Sequence, residues 1–290
     1  MNASQTVMIT GSSSGFGLLT AQLLLGKGFT VIATMRSIEG NNAQYANEIR
    51  RFAEGRPGRL YLRELDVADD ASVEQAVQGI LDSTEGIDVV VNNAGFGIGG
   101  FAEGCTVNQM KRIFDVNVFG VQRVKRAVLP SMREQGAGLL IHISSVMGRI
   151  VIPYAAFYTA TKFALEGLAE SYAYELEGTG VDVSIVEPGG FGTGFMSKME
   201  EAADMERLKS YGALLERPKQ IWGSVGEMLE GDNAPNPQDV ADAVLGLIET
   251  PEGKRPLRVV VDPMTGGEGP ESLNQTAEQI QRQLLGSFGL

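Results

Sequence analysis

"QTVMITGSSSGFGLLTAQLLLGKG", residues 5 to 28, decides the fold. An apolar, β-rich run (5–10) meets Gly11, Gly15 and Gly17, and a long apolar stretch of helical character follows at once. Glycines so placed let a backbone turn sharply, approach a pyrophosphate and pack a helix against the preceding strand, while the helix N-terminus offers amide donors and positive dipole. A glycine triplet alone also serves plain tight turns. Set between strand and helix, with Ser12, Ser14 and Phe16 in the same loop, it predicts a dinucleotide-binding βαβ unit.

The alternation continues through "TVIATM" (30–35), "LYLREL" (60–65), "IDVVV" (87–91), "GLLIHIS" (138–144), "VDVSIV" (181–186) and "LRVVV" (257–261). Several of these runs are apolar on both parities, as strands covered on both faces must be. The pattern predicts an α/β Rossmann fold, a doubly wound, mainly parallel sheet of about seven strands flanked by helices. No composition shift marks a linker, so residues 1–290 read as one domain. Two segments exceed the minimal alternation. One, 191–237, reads as a lid over a substrate site; the other is a C-terminal extension, 263–290, where Leu273, Ala277, Ile280 and Leu284 share a face if helical.

Composition narrows the partners. A formal net charge of −12 argues against broad nucleic-acid binding, which needs clustered Lys and Arg. No apolar run has the eighteen or so residues of a membrane span, and no signal-peptide pattern opens the chain, which predicts a cytoplasmic protein. The single cysteine, Cys105, excludes an internal disulfide, and with the single histidine, His142, it excludes Cys- or His-rich metal centres, so no metal is expected. His142 reads as a buried, hydrogen-bonded core residue.

The second strand bears on the cofactor. A carboxylate at its end would bond an adenosine ribose and repel a 2′-phosphate; here Met35 stands at that position and Arg36 follows. This favours NADP(H) over NAD(H), unless Arg36 merely caps a strand end. Ser12 and Ser37 add hydroxyls for the phosphate. Further on, "FYTATKFALEG" (157–167) holds Tyr158 and Lys162 one helical turn apart, so the two side chains share a face, as in many solvated surface pairs. A free phenol titrates near pH 10 and is a poor acid–base catalyst near neutrality unless a neighbouring cation stabilises its phenolate. Asn117 lies in an apolar stripe of Met110, Ile113, Phe114, Val121, Val124 and Val128, where an amide must find partners; a neighbouring backbone group could satisfy it.

Together "TGxxxGxG" (10–17), "NNAG" (92–95), Ser144–Ser145, "YxxxK" (158–162) and "PGxxxT" (188–193) resemble the short-chain dehydrogenase/reductase family, over roughly the first two thirds of the chain. "TKFALEGLAESYAYEL" (161–176) resembles its steroid and retinoid oxidoreductase branch. The resemblance implies catalytic roles for Asn117, Ser145, Tyr158 and Lys162. Tyr158 would exchange a proton with the substrate oxygen, Ser145 would bond that oxygen, Lys162 would hold the nicotinamide ribose and lower the tyrosine pKa, and Asn117 would hold a relay water. Ser145 is chosen over Ser144 because the family's serine stands thirteen residues before the tyrosine. Cofactor contacts are implied for Asp66 and Val67, although Asp66 also suits a helix cap, for Asn93, Ala94 and Gly95, and for Pro188, Gly189 and Thr193. Relatives commonly form homodimers or homotetramers through the helices carrying Asn117 and Tyr158.

Substrate contacts are expected from Phe191, Phe195 and Trp222 in the lid, with Phe96, Met147, Ile150 and Ser145. The lid's apolar residues would serve equally as helix packing or an oligomer face. The resulting expectation is an NADP(H)-dependent oxidoreductase acting on a hydrophobic carbonyl or alcohol. A non-catalytic NADP(H)-sensing regulator and an epimerase or dehydratase on a related fold are the alternatives.

Overall fold

The computed structural model describes residues 5–288. Seven strands form one parallel sheet in the order β3-β2-β1-β4-β6-β7-β9: β1 (Thr6–Ile9), β2 (Thr30–Met35), β3 (Arg59–Glu64), β4 (Val89–Asn92), β6 (Gly138–Ile143), β7 (Val181–Pro188) and β9 (Arg258–Val261). Each expected run became one of these strands. β1 and β4 are buried along their whole length, because helices cover both faces. A two-stranded ribbon of β5 (Ile98–Gly99) and β8 (Glu200–Glu201), too short to leave a periodic signal, ties the segment after β7 to the loop after β4.

On one face α1 (Gly15–Lys27), α2 (Ala43–Ala53) and α9 (Gln238–Glu249) bury Leu24, Ile49, Val244 and Ile248 against Val7, Val31 and Ile141. On the other, α3 (Asp70–Leu81), α5 (Gly120–Gln135) and α6 (Ala156–Glu175) bury Val77, Val124, Val128 and Ala169 against Met8, Val90 and Leu140. Caps set the boundaries. Gly28 ends α1 at φ 93°, a left-handed conformation that glycine adopts without steric cost. Asp69 caps α3 by accepting from the Ser72 amide at 2.7 Å, so Asp66 is not the helix cap.

One helical expectation needs correction. α4 (Val107–Phe114) runs into α5 through a π-helical turn, Asp115–Phe119. The wider turn breaks the 3.6-residue register, so Met110 is exposed while Gln109, Ile113 and Asn117 are buried. The C-terminal extension forms a helix, α10 (Glu268–Ser287), on which Leu273, Ile280 and Leu284 face outward; it docks through buried Pro270 and through Asn274, which donates to Glu187. Between β7 and α9 lie α7 (Met205–Leu208) and α8 (Arg217–Glu230). Among the described residues no helix is long and apolar enough to cross a membrane.

Candidate active site

The order places β1 beside β4, where the chain reverses direction across the sheet, and the crevice outside the strand ends there is where ligands of such sheets bind. A cleft of about 960 Å³ opens at that point, within the range of small-ligand sites.

Its floor is the glycine loop. Gly11 has φ 68°, and a Cβ there would lie 2.9 Å from Ala94 Cα. A Cβ on Gly17 would lie 2.5 Å from Gly11 O, so Gly17 packs behind the loop and does not line the cleft. Thr10 Oγ1 accepts from the Asn93 and Ala94 amides at 3.0 Å, and Asn93 Nδ2 donates to Thr10 O and Gly11 O at 2.9 and 3.0 Å. Asn93 therefore braces the loop against β4. Gly11, Ser13, Ser14, Gly15 and Phe16 face the cleft; Ser13 was not anticipated. Ser12 is a correction: fully buried, its hydroxyl donates to Thr34 O at 3.0 Å and points away from the cleft. The cradle of small residues and free loop geometry fits a dinucleotide's pyrophosphate.

At the end of β2, Met35 is buried and Arg36 is exposed, its Nη1 4.0 Å from Asp66 Oδ2. Arg36, Asp66, Val67 and Ala68 line this end of the cleft. Ser37 does not: at φ 51° its Oγ accepts from the Asn41 amide at 3.4 Å and shapes the turn that follows β2. Lys198, which belongs to no motif, reaches back across 184 residues and donates to Ser14 Oγ at 3.1 Å.

At the opposite end, Tyr158 and Lys162 sit on the first two turns of α6, and both line the cleft. Lys162 Nζ donates to Ile143 O at 2.7 Å and lies 5.5 Å from the Tyr158 ring centre. Burial pulls the ammonium down to about 8, with Glu166 acting against that shift. Burial pushes the Tyr158 phenol up to about 12, with a side-chain hydrogen bond to Ser145 pulling the other way. Ser145 Oγ also accepts from the Met147 amide at 3.1 Å, which fixes the serine at the head of the turn Val146–Gly148. Ser144 Oγ is buried with no hydrogen-bond partner.

Asn117 does not line the cleft. Its Oδ1 accepts from the Phe96 amide at 3.1 Å, and its Nδ2 donates to Phe96 O and Thr161 Oγ1 at 2.9 and 3.1 Å. Both amide hydrogens are engaged, so of the side chain only the second lone pair of Oδ1 is left to the expected relay water. Asn117 instead clamps the Phe96 backbone to α6. His142 is buried as expected, but neither ring nitrogen has a hydrogen-bond partner, which corrects the hydrogen-bonded reading. Burial, then the charges of Lys125 and Lys162, push it down to about 3.

Pro188, Gly189 and Thr193 line the cleft between these ends, with the Gly189 amide donating to Val261 O at 2.8 Å. Gly95, Phe96, Met147, Ile150, Phe195 and Trp222 line the apolar part, and the Phe195 ring lies 5.2 Å from that of Tyr158. Met196, Met199, Val225 and Leu229 join them, whereas Leu214, Ile221 and Met228 are exposed. Phe191 reaches the cleft but packs mainly in the core, edge-on to Phe16 at 5.5 Å.

Directly before Pro188, Glu187 is fully buried; Arg258 Nε lies 3.3 Å from its Oε1 and Asn274 Nδ2 donates to its Oε2 at 2.8 Å. Burial, then repulsion from Glu166, raise its carboxyl to about 7. A raised carboxyl pKa favours the protonated folded state, so its contribution is fully present below the ordinary value of 4.5 and is lost as pH rises through about 7. Glu187→Gln stays neutral throughout. Its stability relative to the unsubstituted protein should rise between pH 5 and pH 8, by at most about 3 kcal/mol, in urea unfolding at the two pH values.

The geometry matches known proteins. Residues 5–204 match the family model described as short chain dehydrogenase. The chain is 40% identical to a 3-ketodihydrosphingosine reductase of Bacteroides thetaiotaomicron over 66% of this chain and 65% of that protein. It is 36% identical to human retinol dehydrogenase 8 (91% and 84%) and 35% identical to human 17-beta-hydroxysteroid dehydrogenase type 1 (86% and 76%). A short-chain dehydrogenase structure from Streptomyces avermitilis superposes with a TM-score of 0.75 at 30% identity, over 98% of this chain and 96% of that one. An alcohol dehydrogenase from Thermococcus sibiricus complexed with 5-hydroxy-NADP gives a TM-score of 0.70 at 25% identity, over 89% and 96%. A Burkholderia phymatum short chain dehydrogenase/reductase in complex with NAD gives 0.74 at 25%, over 97% and 95%. The chain belongs to the short-chain dehydrogenase family, related to its steroid and retinoid oxidoreductases, and is an NAD(P)-dependent oxidoreductase that acts on alcohol and carbonyl groups.

Proposed function

We propose that the protein is an NADP(H)-dependent reductase of hydrophobic ketones or aldehydes, with Tyr158 as the general acid. One observation carries the reading: Tyr158, Ser145 and Lys162 converge at one end of a cleft whose other end holds the glycine loop and Arg36. When bound, the nicotinamide cofactor supplies a hydride to the carbonyl carbon, or accepts one from the alcohol. Tyr158 then gives its phenolic proton to the carbonyl oxygen. A phenol pushed up to about 12 carries its proton at neutral pH, and so weak an acid gives it up only as a neighbouring cation stabilises the phenolate, the part Lys162, 5.5 Å from the ring centre, would play. Ser145 holds the same oxygen through its hydroxyl, and Lys162 holds the nicotinamide ribose. Asn117 is a positioning residue that fixes Phe96 against α6.

The NADP preference rests on charge. Arg36 lines the cleft where a carboxylate would have rejected a 2′-phosphate, and Lys198 adds a second cation near the loop at Ser14. Phe96, Met147, Phe195 and Trp222 line the remaining volume, which suits an apolar substrate body.

The test is a panel of hydrophobic ketones, aldehydes and alcohols, followed by nicotinamide absorbance with each cofactor. Reduction with NADPH should exceed that with NADH by at least about tenfold in kcat/KM, since one charge-assisted contact of 1.5–3 kcal/mol is at stake. Equal rates would overturn the cofactor preference. Tight NADPH binding without turnover of any panel member would favour the sensing regulator.

A further inference from the structure

Glu166 stands one turn beyond Lys162 on α6, so the two side chains share a face. Both are buried, at 2% and 6% exposure, although charged groups are almost never sealed away unless paired. Glu166 Oε2 accepts from Arg258 Nε at 3.0 Å, while its Oε1 has no hydrogen-bond partner. The Arg258 side chain is only 8% exposed, donates through Nη2 to Glu170 at 2.9 Å, and lies 3.3 Å from Glu187. One guanidinium thus joins the helix carrying Tyr158 and Lys162 to the strand that leads into Pro188 and Gly189. On its other side Glu166 borders the turn carrying Ser145. A Cβ on Gly148 would lie 2.9 Å from both Glu166 Cγ and Ser144 Oγ, so the carboxylate and that turn already touch around a glycine.

We infer that Glu166 is a positioning residue for the Lys162 ammonium, and that Arg258, clamped between Glu166, Glu170 and Glu187, fixes where that carboxylate lies. The inference rests on the reading of Lys162 as the residue that holds the cofactor ribose. Around Glu166 stand Arg258 from β9, Glu187 from β7, and Glu170 and Lys162 from its own helix, with Arg149 bearing on Glu187 from the turn after β6. Around Lys162 stand Tyr158 and Glu166 on α6 and His142 on β6. Glu166 is the carboxylate that bears on Lys162 and opposes the downward pull of burial, so without its charge the ammonium loses its proton at lower pH. A merely structural Glu166 would change stability and leave that titration in place.

The experiment measures NADPH affinity of the full chain from pH 7 to 10, by energy transfer from Trp222, the single tryptophan, which lines the cleft. Affinity should weaken on the alkaline side as Lys162 deprotonates, and Lys162→Met should lack that limb. Glu166→Gln should move its midpoint down by about one pH unit, making binding roughly tenfold weaker above it, while Glu166→Asp, which keeps the charge, should stay near the unsubstituted value. An unmoved midpoint in Glu166→Gln, with the limb absent from Lys162→Met, overturns the inference alone. A limb that survives in Lys162→Met overturns the underlying reading of Lys162 as well. If Glu166→Gln does not fold, Glu187→Gln takes its place: Arg258 then offsets more of the Glu166 charge, and the midpoint should fall by a smaller step, about two- to threefold in affinity. No shift there also overturns the inference.

Discussion

Tyr158→Phe should lower kcat/KM for carbonyl reduction by two to four orders of magnitude, the usual contribution of a positioned general acid, while NADPH affinity stays within about twofold. The substitution deletes one hydroxyl and keeps the ring, so the packing against Phe195 survives. The lost hydroxyl is the group that bears on Ser145, and Ser145 remains held by the Met147 amide. The proton donor alone disappears. Steady-state rates with fluorescence titration of NADPH separate the two effects, and near-normal turnover in a folded variant would remove Tyr158 from the proposed mechanism.

Arg36→Ala should weaken NADPH binding by about ten- to a hundredfold and leave NADH binding nearly unchanged. A charge-assisted hydrogen bond to a phosphate contributes about 1.5–3 kcal/mol, and only the phosphorylated cofactor presents that group at the end of β2. The competing interaction is weak. Arg36 and Asp66 are 4.0 Å apart and both well exposed, a pair worth about 0–1 kcal/mol, so Arg36 is free to turn to a ligand at small cost. Isothermal titration with both cofactors checks the outcome; equal losses for NADPH and NADH would place Arg36 outside phosphate recognition.

The fold was legible because its signals are local. All seven strands lie where apolar runs predicted them, and Gly11 stands between β1 and α1, whose first turn carries Gly15 and Gly17. The Tyr158–Lys162 spacing placed both residues on one face of α6 for the same reason. Periodicity failed at Met110, because a π turn downstream rotates the helix out of register, and the regular repeat has no means of announcing it. For residues 268–287 it put Leu273, Ile280 and Leu284 on one face, and the tertiary structure turns that face outward.

By itself, then, the sequence determined the strands, the glycine loop, the absence of an acid after β2 and the one-turn spacing of Tyr158 and Lys162, all of which depend on residues within a few positions of one another. Only the tertiary structure decided which hydroxyls and amides face the cleft. Ser12 turned inward to Thr34 and Asn117 closed on Phe96, while Lys198 crossed to Ser14 and Arg258 gathered Glu166, Glu170 and Glu187. Those pairings join residues from 21 to 184 positions apart, and they depend on how strands are ordered and helices laid across them, which is a property of the packed sheet and not of any local stretch of chain.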